Sequence, residues 1–351
     1  MFFRNQIYHI LVEHKNFKKK MKLNAIRVIY SLLVINIFIH GVLSADLHFR
    51  KYAGEFMSIG VDARAQAMGG ALTSLSAGVT SPFYNPAGIR CIQQPQITFM
   101  HTQQMIASVN YDFLAAGFKQ SENRVVAISL VRLGIDNIKD SRQAQRIINE
   151  AGEWNIDFSQ VKDFNASDYI FTLSVAQHWK QIWNWGINLK MIRRHLADHH
   201  ANGIGLDIGL QRTIKQNFYL GFTAKNITTT LISWDTGTKE LVSPELYMGI
   251  GYHLALPKFT SYFLPVFDLI IRTENRRQSA TTHLGNISID YAFGMEYSYH
   301  QIIFVRTGMD EIQRLNLGIG LQIPHIRIDY AFTSYDSELG NSHRIGMLIS
   351  L

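Results

Sequence analysis

The stretch 286–300, NISIDYAFGMEYSYH, sorts its side chains into two sets of opposite character. Ile287, Ile289, Tyr291, Phe293, Met295, Tyr297 and Tyr299 are all bulky and apolar or aromatic. The residues between them (Asn286, Ser288, Asp290, Ala292, Gly294, Glu296, Ser298 and His300) are polar or small. A period of two places successive side chains on opposite faces of an extended strand. The same alternation recurs in WNWGINLKM at 183–191, GIGLDIGLQ at 203–211, RLNLGIGLQ at 314–322, HIRIDYAF at 325–332 and the terminal RIGMLISL. The chain therefore reads as all-β, and its architecture turns on what the bulky rows touch.

Strands are expected near 97–104, 109–119, 123–134, 168–179, 182–196, 199–212, 216–226, 244–253, 261–273, 286–299, 301–309, 312–322, 325–333 and 343–351. That is about fourteen, most near or above the ~9–11 residues that cross a bilayer when tilted. Tight connections (196–202, 322–325) and long ones (135–167, 227–243) match the short turns and long loops at the two ends of an outer-membrane barrel. A soluble sandwich also alternates, but its polar face meets water and carries many Lys and Glu. Here that face holds Gly, Asn, Ser, Asp and Gln with isolated charges, and charged residues make up only 17% of the chain. The usual share is about a quarter. Such a face suits a confined lumen, and closure in lipid satisfies every backbone group without a second sheet. The expected fold class is a transmembrane antiparallel β-barrel of about 14 strands with lipid of the outer membrane as its partner. Tyr297, Tyr299, Tyr330, Phe332, Trp183 and Trp185 fall toward strand ends, where aromatic girdles sit.

The net charge of +7 suggests nucleic acid until it is located. Residues 1–44 hold Arg4, Lys15, Lys18, Lys19, Lys20, Lys22 and Arg27 against Glu13, so the remainder carries 34 − 7 = 27 basic and 27 − 1 = 26 acidic residues. No nucleic-acid partner is expected. Residues 1–44 read as a signal peptide: a basic stretch, the apolar run 28–43, and cleavage before Ala45. Met21 is an alternative start, which makes 1–20 a mis-started extension. The single cysteine, Cys91, excludes a disulfide framework or thiolate metal site.

Residues 45–95 form a different segment. Within GEFMSIGVDARAQAMGGALTSLSAGVTSPFYNPAGIR, ARAQAM makes a helical turn or two, Gly69-Gly70 ends it, and Phe83–Gly88 is rich in turn residues. Ahead of a wide barrel (96–351), such a segment folds inward as a plug, or lies outside as a periplasmic strap. Gly60, Asp62, Ala63 and Arg64, then Met68, Gly69 and Gly70, then Asn85, Pro86, Ala87 and Gly88, carry a resemblance to the N-terminal signature of the PorV/PorQ outer-membrane proteins. The likeness extends through Phe164–Tyr169, Lys225-Asn226 and Ile328–Phe332. It implies a FadL-like fourteen-strand barrel with an inward hatch carrying Asn85-Pro86-Ala87. It also implies a protein-binding role in type IX secretion or envelope assembly, with secretion components or exported proteins as partners. The alternative is a FadL-like channel for a hydrophobic ligand, which requires an apolar pocket beside the plug.

No motif points to an enzyme, a cofactor or a metal. Asp235-Thr236-Gly237 matches an aspartic-protease triplet, but that chemistry needs two close carboxylates and no second copy exists. The glycines of GIGLDIGL are followed by no helix, so they read as lumen-facing strand positions and not as a dinucleotide fingerprint. His195, Asp198, His199 and His200 read as a solvated turn beside Arg193 and Arg194. Asp290, Glu296, Arg306, Arg314, Arg327 and Asp329 are expected to tie the barrel together across its lumen.

Overall fold

The computed structural model describes residues 54–351 apart from 105–108, 143, 145, 149–153, 157, 181, 275, 277–279 and 336–340. The signal-peptide reading of 1–44 lies outside these residues. The wall consists of β1 (Gln96–Gln104), β2 (Val109–Ser121), β3 (Arg124–Asp140), β4 (Lys162–Trp179), β5 (Trp183–Leu196), β6 (His199–Ile214), β7 (Phe218–Lys225), β8 (Thr230–Trp234), β9 (Lys239–Val242), β10 (Glu245–Tyr252), β11 (Ser261–Arg272), β12 (Ile287–Tyr299), β13 (Ile303–Met309), β14 (Leu315–Ile323), β15 (Ile326–Thr333) and β16 (Ser342–Ser350). Every neighbouring pair is antiparallel, and β1 pairs with β16 from Gln96↔Ser350 to Gln103↔His343, so the sheet closes. β7 with β8, and β9 with β10, each form one interrupted strand. The barrel therefore has fourteen strands and no free edge.

The expected strands all occur, and the expected long loops shrink. The span 227–243 is not a loop. β8 and β9 pair with each other and β8 pairs with β6, extending the wall upward. The interruption has a visible cause. Between the pairs Ile204↔Leu231 and Ile208↔Ala224, four residues of advance on β6 face seven on its partner. The three extra residues bulge, with Asn226 and Thr229 at φ 54° and 57°. Asn226 turns inward, where Oδ1 accepts from Lys190 Nζ at 2.6 Å and its backbone N–H donates to Asp207 Oδ1 at 2.9 Å. Of 135–167, β3 and β4 take both flanks, and 141–161 is the connection.

The alternation sets the two faces. Phe99, Leu114, Ile128, Phe171, Met191, Phe293, Ile319 and Ile345 stand exposed on the outer wall, while Glu296, Arg306, Asp207 and Asn188 on the inner face are buried. The burial is explained by the segment 54–95, which fills the barrel; the strap alternative is overturned. A closed wall of fourteen strands encloses more room than its own side chains fill, and the hatch occupies it.

Candidate functional site

Lumen-facing glycines seat the hatch. A Cβ on Gly186 would strike the Pro86 carbonyl carbon, one on Gly209 the Asn85 side chain, one on Gly221 the Thr73 carbonyl, and one on Gly294 or Gly308 the Met68 backbone. Backbone therefore packs on backbone around much of the inner wall, which only glycine permits. The small-residue face of GIGLDIGL belongs to this arrangement.

The signature residues hold the hatch's internal shape. Asp62 caps the helix α1 (Ala63–Ala67): its Oδ1 accepts from Arg64 N at 2.8 Å and its Oδ2 from Thr80 Oγ1 at 2.8 Å. Ala63 is buried, and Gly60 presents its carbonyl to the Arg344 guanidinium. Met68 is buried between β12 and β13, and Gly69 and Gly70 turn the chain at φ 66° and 79°. Asn85 is buried after the helix α2 (Ser81–Tyr84). Its Oδ1 accepts from Ala87 N at 3.1 Å, and its Nδ2 donates to Thr73 O at 2.9 Å and Leu210 O at 3.0 Å. Pro86 and Ala87 lie against Gly186, and Gly88 lies against the Ser76 carbonyl. Tyr84, buried beneath them, accepts from Val61 N; burial pushes its phenol well above the usual range.

An ionic chain anchors the hatch to the wall. Glu296 Oε2 accepts from Arg64 Nε at 2.9 Å and from Arg306 Nε at 2.6 Å; Arg306 Nη1 then reaches Asp329 Oδ1 at 2.8 Å, and Arg327 Nε reaches Asp329 Oδ2 at 2.8 Å. Arg314 pairs locally with Asp310 at 2.7 Å and Asp290 with Arg272 at 2.8 Å. The lumenal charges are thus structural ties, with Arg64 the one contributed by the signature.

Above the hatch, toward the long connections, lies a cavity of about 510 Å³. Ile59, Phe83, Val109, Leu133, Ile135 and Ile270 line it, with Tyr247, Lys225, Arg272, Arg276 and Arg344 at its polar parts. Lys225 lies over the rings of Phe83 and Tyr247, at 4.7 and 4.4 Å from their centroids, with no carboxylate partner among the described residues. This volume lies within the range of small-molecule pockets. Sequence reading had not singled out Phe83, Lys225 or Tyr247 as cavity residues. The alternation of 218–225 does turn Lys225 inward, but nothing local reveals that the hatch brings Phe83 to it. His199 and His200 converge on Asp235 at 3.3 and 3.1 Å from its two oxygens, tying the β5–β6 turn to the β8–β9 turn. His195 stays on the neighbouring strand and pairs with His200 only in register. Among the described residues no group of His, Cys, Asp or Glu is arranged to hold a metal.

Solved structures share this fold. The Ralstonia pickettii toluene transporter TbuX aligns with a TM-score of 0.53 at 11% identity, covering 83% of this chain and 98% of its own. The CymD monoaromatic hydrocarbon channel aligns at 0.52 and 12% identity, covering 84% and 98%. The Pseudomonas putida toluene transporter TodX aligns at 0.51 and 11%, covering 83% and 97%. The chain is an outer-membrane β-barrel with the fold of these hydrocarbon channels. No protein-family model and no curated protein matches the sequence, so the PorV/PorQ likeness rests on its motifs alone.

Proposed function

We propose that this barrel passes apolar small molecules across the outer membrane, taking them from the loop side into the cavity above the hatch. The observation that carries the reading is the 510 Å³ cavity lined by Ile59, Phe83, Val109, Leu133, Ile135 and Ile270, directly above a hatch that fills the lumen. The toluene and monoaromatic-hydrocarbon channels of the same fold support it. Passage requires the hatch to shift, since glycine-to-backbone packing closes the lumen beneath the cavity.

The protein-docking reading, a partner in secretion or envelope assembly, retains the motif resemblance but loses part of its motivation. The span 227–243, expected as a presenting loop, is wall. Uptake of a radiolabelled monoaromatic hydrocarbon by cells with and without the barrel tests the channel reading. Faster uptake in expressing cells is the expected result. Equal uptake, together with an exported protein crosslinked to the barrel, overturns it in favour of docking.

A further inference from the structure

The outer wall carries a row of polar residues that neither the hatch nor the cavity uses. His101, Asp112, Arg132, Tyr169, Arg193 and Asn202 are direct cross-strand partners on six consecutive strands, β1 to β6. All belong to the outward-facing alternation. Two residues further toward the turn end on each strand stands a bulky apolar residue: Phe99, Leu114, Leu130, Phe171, Met191 and Ile204, each 37–54% exposed. A polar row thus lies immediately above an apolar row, on six strands at once.

Height places this boundary. Arg124 and Arg132 both face outward on β3, eight residues apart. At ~3.3 Å per residue and a tilt of ~40°, that is about 20 Å along the membrane normal. The apolar band of an outer-membrane barrel is about 25 Å tall. The two arginines nearly bracket that band, which sets the polar row at its outer edge, against the headgroups of the outer leaflet. It is not a girdle that circles the barrel. The outward residues of β12, β13 and β14, from Ile287 to Tyr299, Ile303 to Met309 and Leu315 to Ile323, include no charge.

The charges select a ligand. Asp112 accepts from Arg132 at 3.3 Å and contacts His101 Nδ1 at 2.7 Å. Arg193 donates to Asn202 at 2.8 Å and has no carboxylate partner among the described residues. Two guanidiniums against one carboxylate leave the row positive. Arg132 and Arg193 flank Tyr169 across two strand spacings, roughly 10 Å, within reach of one tetrahedral anion held between two long arms. The apolar row beneath them accepts acyl chains.

We propose that this face of the barrel binds an outer-leaflet lipid carrying a phosphate monoester, its headgroup clamped by Arg132 and Arg193 and its chains lying over Leu130, Phe171 and Met191. The lipid source, and not free phosphate, follows from the apolar row directly under the cations. The test is native mass spectrometry of the detergent-purified barrel after incubation with phosphatidic acid or phosphatidylcholine. The intact barrel is expected to retain phosphatidic acid about tenfold better than phosphatidylcholine, as two charge-assisted clamps predict. Arg132→Gln with Arg193→Gln brings the two lipids to parity. Heat-modifiable migration on a gel confirms that the variant is folded. Arg193→Gln alone, at an exposed position bonded only to Asn202 among the described residues, serves where the double variant does not fold, and is expected to lose part of the preference. Unchanged preference in a folded variant overturns the proposal. So does displacement of phosphatidic acid by millimolar inorganic phosphate, which assigns the cations to a free anion.

Discussion

Glu296 sits between two guanidiniums, one on the hatch and one on the wall, and Glu296→Gln tests whether that carboxylate anchors the hatch. The carboxylate is 1% exposed, and its oxygens accept from Arg64 Nε at 2.9 Å, Arg64 Nη2 at 3.1 Å, Arg306 Nε at 2.6 Å and Tyr262 OH at 3.2 Å. In the native cluster Arg64, Arg306 and Arg327 face Glu296 and Asp329, a net +1. Glu296→Gln leaves three cations against Asp329, a net +2, with the Arg306 side chain still fully buried. Removing one partner of a buried pair typically costs 3–5 kcal/mol, so a loss of about 4 kcal/mol is expected. Arg64→Met alone leaves Glu296 with Arg306 and costs about 2 kcal/mol, the scale of lost hydrogen bonds to a charged group. The double variant restores the native net charge. It should cost about 3 kcal/mol rather than the additive sum of about 6 kcal/mol, a coupling of about 3 kcal/mol. Urea unfolding of the barrel refolded in vesicles gives the free energies. Protease cleavage within 54–95 separates hatch release from barrel unfolding. An Glu296→Gln midpoint equal to wild type, or strictly additive single effects, refutes the anchoring argument.

Gly308→Val forces a side chain into the Met68 carbonyl carbon, and overpacking of this kind costs about 1–3 kcal/mol; the hatch should become protease-sensitive while the barrel keeps its heat-modifiable migration. Lys225→Met removes the charge lying over Phe83 and Tyr247, and should raise uptake of saturated hydrocarbons relative to acidic amphiphiles, read by competition between labelled substrates. Burial pushes the Glu55 carboxyl above its ordinary range, against the opposing pull of Arg276 and Arg272. A carboxyl with a raised folded pKa contributes stability that is fully present below the unfolded pKa and is lost as pH rises through the folded value. Hatch protection from protease should therefore decline slightly from acidic toward neutral pH, by little because the side chain is half exposed, and Glu55→Gln should remove the slope.

The barrel was legible because its rule is local. A period of two, sustained across segments long enough to span lipid, identifies each strand independently of the others, and all fourteen expected positions carry wall strands. The errors fell where a strand is broken without a local breaker. Asn226 and Thr229 adopt left-handed backbone at positions with neither Gly nor Pro, because Lys190 and Asp207 on neighbouring strands hold Asn226 inward. The tight turns at Lys215-Gln216 and His300-Gln301 likewise use positive φ without the Asn-Gly or Asp-Gly pairs that announce such turns. Their geometry is imposed by the strands they join.

The cavity was illegible for a deeper reason. Its lining comes from the hatch, from β2 and β3, from β7, β10, β11 and β12, from the β13–β14 turn and from β16, residues separated by up to 344 − 55 = 289 positions that no short pattern links. The lumenal glycines were visible in sequence, and they marked small residues on the polar face. What they accommodate depends on the path of the hatch backbone. Once Met68, Thr73, Asn85 and Pro86 are seen pressed against Gly308, Gly221, Gly209 and Gly186, those glycines become a contact surface rather than an absence of side chains. The same contact explains why the space for a ligand lies above the hatch. The cavity beside the Arg64 helix holds about 50 Å³, room for water, whereas the face away from the glycine seats opens onto the apolar walls of β2, β3 and β11. Ile59 and Phe83 carry the hatch's side of the cavity, so under the proposed channel reading the hatch is both the floor of the binding space and the barrier to passage.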